Sequence, residues 1–171
     1  SINLSIKTKD ILLSNTRAPR KGLFLCGWQL NKNIMLIPQI AKSLKDQGFL
    51  FSFVITAPYD DSKECKRFYD LVSKNDVSEY IEHIGVVNKD SLKSLYSQVD
   101  IVFLLSKLES FSNNIIEAWT YDRILMISDE MWAHSICGEA AIYVERDDIQ
   151  AISSSIIAVY SENNNYHRIV K

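Results

Sequence analysis

The sequence lacks the features that mark membrane-spanning, secreted and metal-binding proteins. Its apolar runs are too short to cross a bilayer, and its first residues form no signal-peptide pattern. Its three cysteines, Cys26, Cys65 and Cys137, are widely spaced and form no Cys-x-x-Cys pair. This spacing is typical of reduced thiols rather than of a disulfide framework or a zinc site. We therefore expect a cytoplasmic protein with free cysteines.

Two motifs of common enzyme classes are also missing. The fingerprint Gly-x-Gly-x-x-Gly is absent, which weighs against a nicotinamide or flavin enzyme. No Asp-x-Asp metal motif occurs, and the adjacent acids Asp60-Asp61 and Asp147-Asp148 are more typical of a loop and a helix cap. We expect no cofactor and no metal ion. The net charge of −2 also gives no electrostatic reason to expect nucleic acid binding.

What is present is an alternation of apolar strands and amphipathic helices over 171 residues, enough for one domain with a substantial core. Strands are predicted at 22–26, 49–55, 81–87, 101–105, 124–128 and 141–144. Helices are predicted at 34–47, 63–74, 90–98, 113–121 and 147–161, with a short helix or turn at 131–137. Continuous apolar strands alternating with helices predict an α/β fold: a three-layer, Rossmann-like parallel sheet of about six strands with helices on both faces.

This Rossmann-like domain is predicted to span residues 22–162. Residues 1–21 are polar, with basic residues near their end, and we interpret them as a linker or a peripheral segment. Residues 163–171 form a polar tail that begins with three consecutive asparagines.

The most informative stretch runs from Glu109 to Glu117, between a predicted buried strand and a predicted helix. Ligands of open parallel sheets bind where strand ends meet helix starts. A helix start offers unpaired N–H groups and a partial positive charge, which favour a phosphate. We expect these donors to come from Phe111, Ser112, Asn113 and Asn114.

These residues resemble the signature of retaining, nucleotide-sugar-dependent glycosyltransferases of the GT-B fold, in the glycosyl transferases group 1 (family 4) type. Two glutamates are separated by seven residues; Ser-Phe follows the first, and two apolar residues precede the second. The runs Glu117–Asp129 and Gly138–Asp148 are also similar to that family, so the resemblance covers about residues 22–157. It implies one half of a GT-B fold, the C-terminal donor-binding domain, with the acceptor-binding half missing or upstream.

The resemblance also implies roles for individual residues. Glu109 would contact hydroxyls of the donor sugar, and Lys32 would stabilise the leaving diphosphate; these are the two expected catalytic residues. Glu117 would accept hydrogen bonds from the ribose, because a carboxylate accepts from two hydroxyl donors. Gly27 would border the donor, and the backbone at Val86 would meet the base.

One position departs from the family pattern. The family places an arginine after the first strand, where this chain has Trp28 or Gln29. Losing one charge-assisted contact to a phosphate oxygen weakens leaving-group stabilisation by about 1.5–3 kcal/mol. Arg17 and Arg20 are the candidates to replace it.

The expected function is transfer of a sugar from a nucleotide diphosphate to a saccharide or lipid-linked acceptor, in bacterial polysaccharide or lipopolysaccharide assembly. The full-length protein would lie in the cytoplasm, in possible peripheral association with the inner face of the membrane, and the chain alone would be inactive. An alternative is a catalytically impaired glycosyltransferase-like domain that serves as a binding or scaffold module, as the missing arginine suggests. A third is an epimerase of similar architecture, ranked last because such enzymes lack this glutamate spacing.

Overall fold

The computed structural model describes residues 20–110 and 112–161. Phe111 therefore lies outside the described residues, as do Arg17, nearly all of the predicted N-terminal segment and the predicted polar tail. The other predicted site residues all fall within the described ranges.

Six strands and six α-helices alternate along the described ranges, each overlapping a predicted element. The strands are β1 (Lys21–Phe24), β2 (Ser52–Ile55), β3 (Ile81–His83), β4 (Ile101–Leu104), β5 (Ile124–Ser128) and β6 (Ile142–Val144). The helices are α1 (Ile37–Asp46), α2 (Lys63–Asn75), α3 (Leu92–Ser97), α4 (Asn113–Thr120), α5 (Met131–Cys137) and α6 (Ile149–Val159). The third strand ends four residues earlier than predicted, and Gly85 adopts a φ of +73° just beyond it.

The strands form one parallel sheet in the order β3-β2-β1-β4-β5-β6. This is the order of a Rossmann fold, and it confirms the predicted fold class. The chain leaves β1 towards one side of the sheet and β4 towards the other. The carboxyl ends of β1 and β4 therefore flank the point where the strand order reverses, which is where such sheets bind ligands.

Two apolar layers cover the faces of the sheet, because successive strand residues point to opposite sides. Phe24 packs with α1, α2 and α6, and its ring stacks on that of Phe103 at 4.9 Å. Leu23 packs on the opposite face with residues of α3, α4 and α5. Both faces are therefore buried, as the continuous apolar strands predicted.

The first helix begins later than the predicted start at residue 34, as we expected from the position of Pro38. Two 3₁₀ turns, Leu30–Lys32 and Ile34–Leu36, precede α1, and Pro38 lies in its first turn, where no N–H donor is needed. These turns fix the loop that carries Lys32. No helix in the described ranges has both the length and the apolar character needed to span a membrane.

Candidate functional site

Three loops interlock at the carboxyl edge of the sheet, after β1, β4 and β6. The backbone N–H of Lys107 donates to the carbonyl of Asn31 at 3.4 Å, which joins the first two loops. The Asn33 amide donates to the carbonyl of Arg146 at 2.7 Å, and Arg146 Nε donates to the carbonyl of Leu105 at 3.3 Å. The three loops therefore form one polar crevice beside the point where the strand order reverses.

The two predicted catalytic residues meet in this crevice. Lys32 Nζ and a Glu109 carboxylate oxygen form an ion pair and a hydrogen bond, although the residues are 77 positions apart. Their side chains are only 20% and 11% exposed, so the pair is largely screened from solvent. An ion pair in such surroundings holds the lysine ammonium in one place, and two of its three N–H donors have no acceptor among the described residues, so they remain for an anion.

The start of α4 lies beside this pair. Ser112 is the residue that precedes the helix, and its hydroxyl makes no capping hydrogen bond to the first turn. Ser112 is buried and Asn113 is exposed, while the Asn114 side chain donates to the carbonyl of Leu25 at 2.9 Å. That contact ties the helix start to the end of β1. Because its own serine does not cap it, the helix start keeps backbone donors for an anion.

Glu117 lies farther along α4 and has a different partner. One of its oxygens accepts a hydrogen bond from Tyr96 Oη of α3 at 2.8 Å. Burial, together with this hydrogen bond to Glu117, raises the pKa of the fully buried Tyr96. The second carboxylate oxygen of the half-buried Glu117 accepts nothing from residues 20–110 or 112–161, so one oxygen remains for a ligand hydroxyl.

The remaining predicted donor-binding residues border the same edge of the sheet. Gly27 lies three residues after the end of β1, and Val86 is 77% exposed in the loop after β3. Because β3 is two strands from β1, the ends of these two strands are roughly 10 Å apart across the sheet. The structure thus brings Lys32 and Glu109 into contact and leaves Val86 at a distance that only an extended ligand would bridge.

Trp28 is one of the two residues, with Gln29, at the place where an arginine was expected. Its Nε1 donates to the carbonyl of Pro58 at 2.9 Å, and its ring packs 5.5 Å from Phe68 of α2. Arg20, one of the two proposed replacements, lies at the opposite edge, before β1, with its guanidinium 4.6 Å from the centre of the Phe49 ring. Arg20 is therefore wrong as a candidate, because the whole length of β1 separates it from the crevice.

Two residues of the crevice were not singled out from the sequence. Arg146 follows β6 and is 14% exposed, so its guanidinium is mostly enclosed. The Ser106 hydroxyl, two residues after the end of β4, is buried and has no hydrogen-bond partner in the described part of the chain. Both follow a strand of a parallel sheet, and that position alone could have marked them as crevice residues.

Two further observations describe the chemistry of this edge. Burial raises the pKa of the Cys26 thiol to about 12, against an opposing effect of nearby Lys32, so Cys26 stays protonated at neutral pH. Within residues 20–110 and 112–161, no three His, Cys, Asp or Glu side chains gather closely enough to hold a metal ion.

The fold and sequence are similar to those of known glycosyltransferases. The C-terminal domain of a glycosyl transferase group 1 family protein (LpcC) from Francisella tularensis is 19% identical, with a TM-score of 0.72 over 100% of this chain and 89% of that one. Alr3699/HepE of Anabaena, solved in complex with UDP and glucose, is 14% identical, with a TM-score of 0.76 over 100% of this chain and 46% of that one. Sucrose-phosphate synthase from Thermosynechococcus elongatus is 16% identical, with a TM-score of 0.74 over 96% of this chain and 43% of that one.

This chain thus spans less than half the length of those last two proteins. No curated protein matches it by sequence. The sequence profile of the family described as glycosyl transferases group 1 matches residues 16–171. The chain therefore belongs to the glycosyl transferases group 1 and has the Rossmann-like fold of a C-terminal domain in that family.

Proposed function

We propose that this domain binds a nucleotide-diphosphate sugar for retaining glycosyl transfer to a saccharide or lipid-linked acceptor. The observation that carries the proposal is the enclosed Lys32–Glu109 pair beside the reversal of strand order, next to a helix start that its own serine does not cap. A cation, an acid and free backbone donors within one crevice suit an anionic diphosphate with a sugar attached to it.

In this proposal each group acts on a different part of the donor. Lys32 and the start of α4 stabilise the negative charge that develops on the leaving diphosphate, in place of a metal ion or cofactor. Glu109 accepts hydrogen bonds from hydroxyls of the sugar, and the unoccupied oxygen of Glu117 accepts from the ribose. The base lies over the loop at Val86, because a nucleotide is long enough to reach from β4 to β3.

The acceptor would be held by a second domain. Because this chain spans less than half of the full-length proteins to which it is similar, we expect it to bind the donor and to transfer nothing alone. The full-length enzyme would act in the cytoplasm, or at the inner face of the membrane on a lipid-linked acceptor, in polysaccharide or lipopolysaccharide assembly.

A calorimetric titration of the chain with uridine, guanosine and thymidine diphosphates tests the donor site. We expect one of them to bind, with the Glu109 and Asn114 backbone amides shifted in a parallel NMR titration. If none binds while circular dichroism reports an intact fold, the donor-binding proposal is wrong.

A second candidate function is a domain that has lost catalysis and serves as a binding module. The favouring observation is Trp28, whose side chain packs against α2 where a phosphate-binding arginine was expected. Turnover of a nucleotide sugar by the full-length protein, abolished by Glu109→Ala, would exclude this alternative. Donor binding without turnover would support it.

A further inference from the structure

We propose that Arg146, in the loop after β6, replaces the missing arginine as the second cation for the donor diphosphate. This inference rests on the donor-binding function proposed above. It adds a contact residue that lies more than 100 positions from the strand after which an arginine was expected.

The position of Arg146 is fixed by hydrogen bonds to both sides of the crevice. Its carbonyl accepts from the Asn33 amide at 2.7 Å, which holds it beside the turn that ends at Lys32. Its Nε donates to the carbonyl of Leu105 at 3.3 Å, four residues before Glu109. The guanidinium is therefore held between the two loops that carry the predicted catalytic residues.

The charge of Arg146 is poorly neutralised by the protein itself. Its side chain is 14% exposed, whereas its acidic neighbour Asp147 is 65% exposed and lies 3.4 Å away. Asp147 also accepts a hydrogen bond from Asn33 at 3.1 Å. Asp147 is thus a partner at the long end of the hydrogen-bond range and mostly solvated, so it neutralises the enclosed cation incompletely and an approaching anion would stabilise it.

The hydrogen-bonding capacity of Arg146 is also incomplete. A guanidinium carries five N–H donors, and the described residues accept from it only at Leu105 and Asp147. The remaining donors include a planar pair suited to two oxygens of one phosphate. Phosphate is therefore the ligand chemistry that this group fits.

The other arginines of the described ranges do not offer this arrangement. Arg20 lies over the Phe49 ring before β1. Arg123 lies before β5 and donates to the carbonyls of Tyr121 and Val99 at 2.8 and 3.0 Å. Arg67 is exposed on α2. Arg146 is the arginine of the described part whose guanidinium lies at the carboxyl end of a strand.

The test compares nucleotides that differ by one phosphate. The wild-type chain, Arg146→Gln and the control Arg123→Gln are titrated with the diphosphate that binds best among UDP, GDP and TDP, and with its monophosphate. We expect Arg146→Gln to weaken diphosphate binding at least tenfold, or about 1.4 kcal/mol, and monophosphate binding less than threefold. Arg123→Gln likewise removes two side-chain hydrogen bonds, here to the carbonyls of Tyr121 and Val99, and should change neither affinity more than twofold.

Other outcomes overturn the inference in distinguishable ways. An equal loss for both nucleotides would mean that Arg146 only supports the loops, and an unchanged affinity would mean that it does not meet the ligand. If Arg146→Gln does not fold, the side-chain Nε–H signal of Arg146 in the wild-type chain decides: it must shift with the diphosphate and not with the nucleoside. Failure of the wild-type chain to bind any diphosphate would overturn the proposed function as well.

Discussion

The two edges of the parallel sheet carry similar charged residues and use them differently. At the edge where the strands begin, Arg123 donates to two backbone carbonyls, and Arg20 lies over the rings of Phe49 and Tyr160. At the edge where the strands end, the Ser106 hydroxyl has no partner among the described residues, and the carboxylate partner of Arg146, Asp147, is mostly exposed to solvent. The first edge satisfies its polar groups internally, whereas the second keeps donors for a ligand.

The direction of the strands explains this difference. All six described strands run parallel, so the helices that follow them begin at the carboxyl edge and end at the other. Helix starts carry a partial positive charge and unpaired N–H groups. Changes at the first edge should therefore alter stability, and changes at the second should alter ligand affinity.

The largest expected effect on stability is at Gly22, near the beginning of β1. A Cβ there would overlap the Phe103 ring and lie 2.8 Å from Phe51 Cζ, and both rings are in the core. We expect Gly22→Ala to lower the free energy of unfolding by about 2 kcal/mol, through overpacking. Urea denaturation followed by circular dichroism measures this change.

Gly48→Ala provides the comparison for this change. A Cβ at Gly48 meets no described atom within 4 Å, but its φ of +70° strains any other residue, which costs about 1 kcal/mol. A Gly22→Ala chain that is more stable than Gly48→Ala would contradict the tight packing around β1.

The next largest effect concerns affinity, at Lys32. Lys32→Met keeps much of the side-chain volume and removes the charge, so diphosphate binding should weaken about tenfold, or ~1.4 kcal/mol. Isothermal titration calorimetry measures this change in affinity for the diphosphate. The matched control is Lys21→Met, which removes the ion pair with Glu82 at the opposite edge and should leave affinity unchanged. Equal losses in the two variants would remove the distinction between the edges.

A smaller effect is expected at Tyr96, which lies between the edges. Tyr96→Phe removes the hydrogen bond to Glu117, so the free energy of unfolding should fall by about 1 kcal/mol. Tyr121→Phe is the control: its ring stacks on Tyr96 at 4.8 Å, but its hydroxyl has no hydrogen bond to the described residues. In thermal unfolding, Tyr96→Phe should have a lower melting temperature than Tyr121→Phe. Identical melting temperatures would argue against a stabilising Tyr96–Glu117 contact.

The smallest effect is at the exposed Lys45–Asp76 pair, at the edge where helices end. The hydrogen bond from Lys45 lowers the pKa of Asp76 below its ordinary value. The pair therefore contributes stability above the unfolded-state pKa of Asp, about 3.9, and this contribution disappears as pH falls through the folded-state pKa. In the Lys45→Ala variant, NMR of the carboxyl groups should report that the pKa of Asp76 is closer to the ordinary value of an aspartate. Lys42→Ala removes a weaker electrostatic influence on Asp76, so it should change the pKa of Asp76 less.

The order of the elements was predictable from sequence, because most strands lie in short apolar runs and the longer helices have one apolar face. The strand order was not, since periodicity does not say which strands are neighbours. The closeness of Lys32 and Glu109 followed from the family resemblance rather than from spacing.

Other contacts of the site needed coordinates. The Tyr96–Glu117 hydrogen bond and the contact between Arg146 and Leu105 each join elements distant in sequence, and they depend on side-chain direction. The position of Arg20, in contrast, could be judged without coordinates. It lies just before β1, at the edge where the strands of a parallel sheet begin, whereas ligands bind at the edge where they end.

The tryptophan in the loop after β1 gives this domain an intrinsic optical probe. Trp28 is half-buried, and the Trp132 indole donates to the carbonyl of Lys107 at 3.1 Å, on the loop that leads to Glu109. Of the chain's three tryptophans, one therefore lies on a crevice loop and a second, on α5, contacts another. Their emission should respond when the crevice fills, so binding can be followed in unlabelled protein.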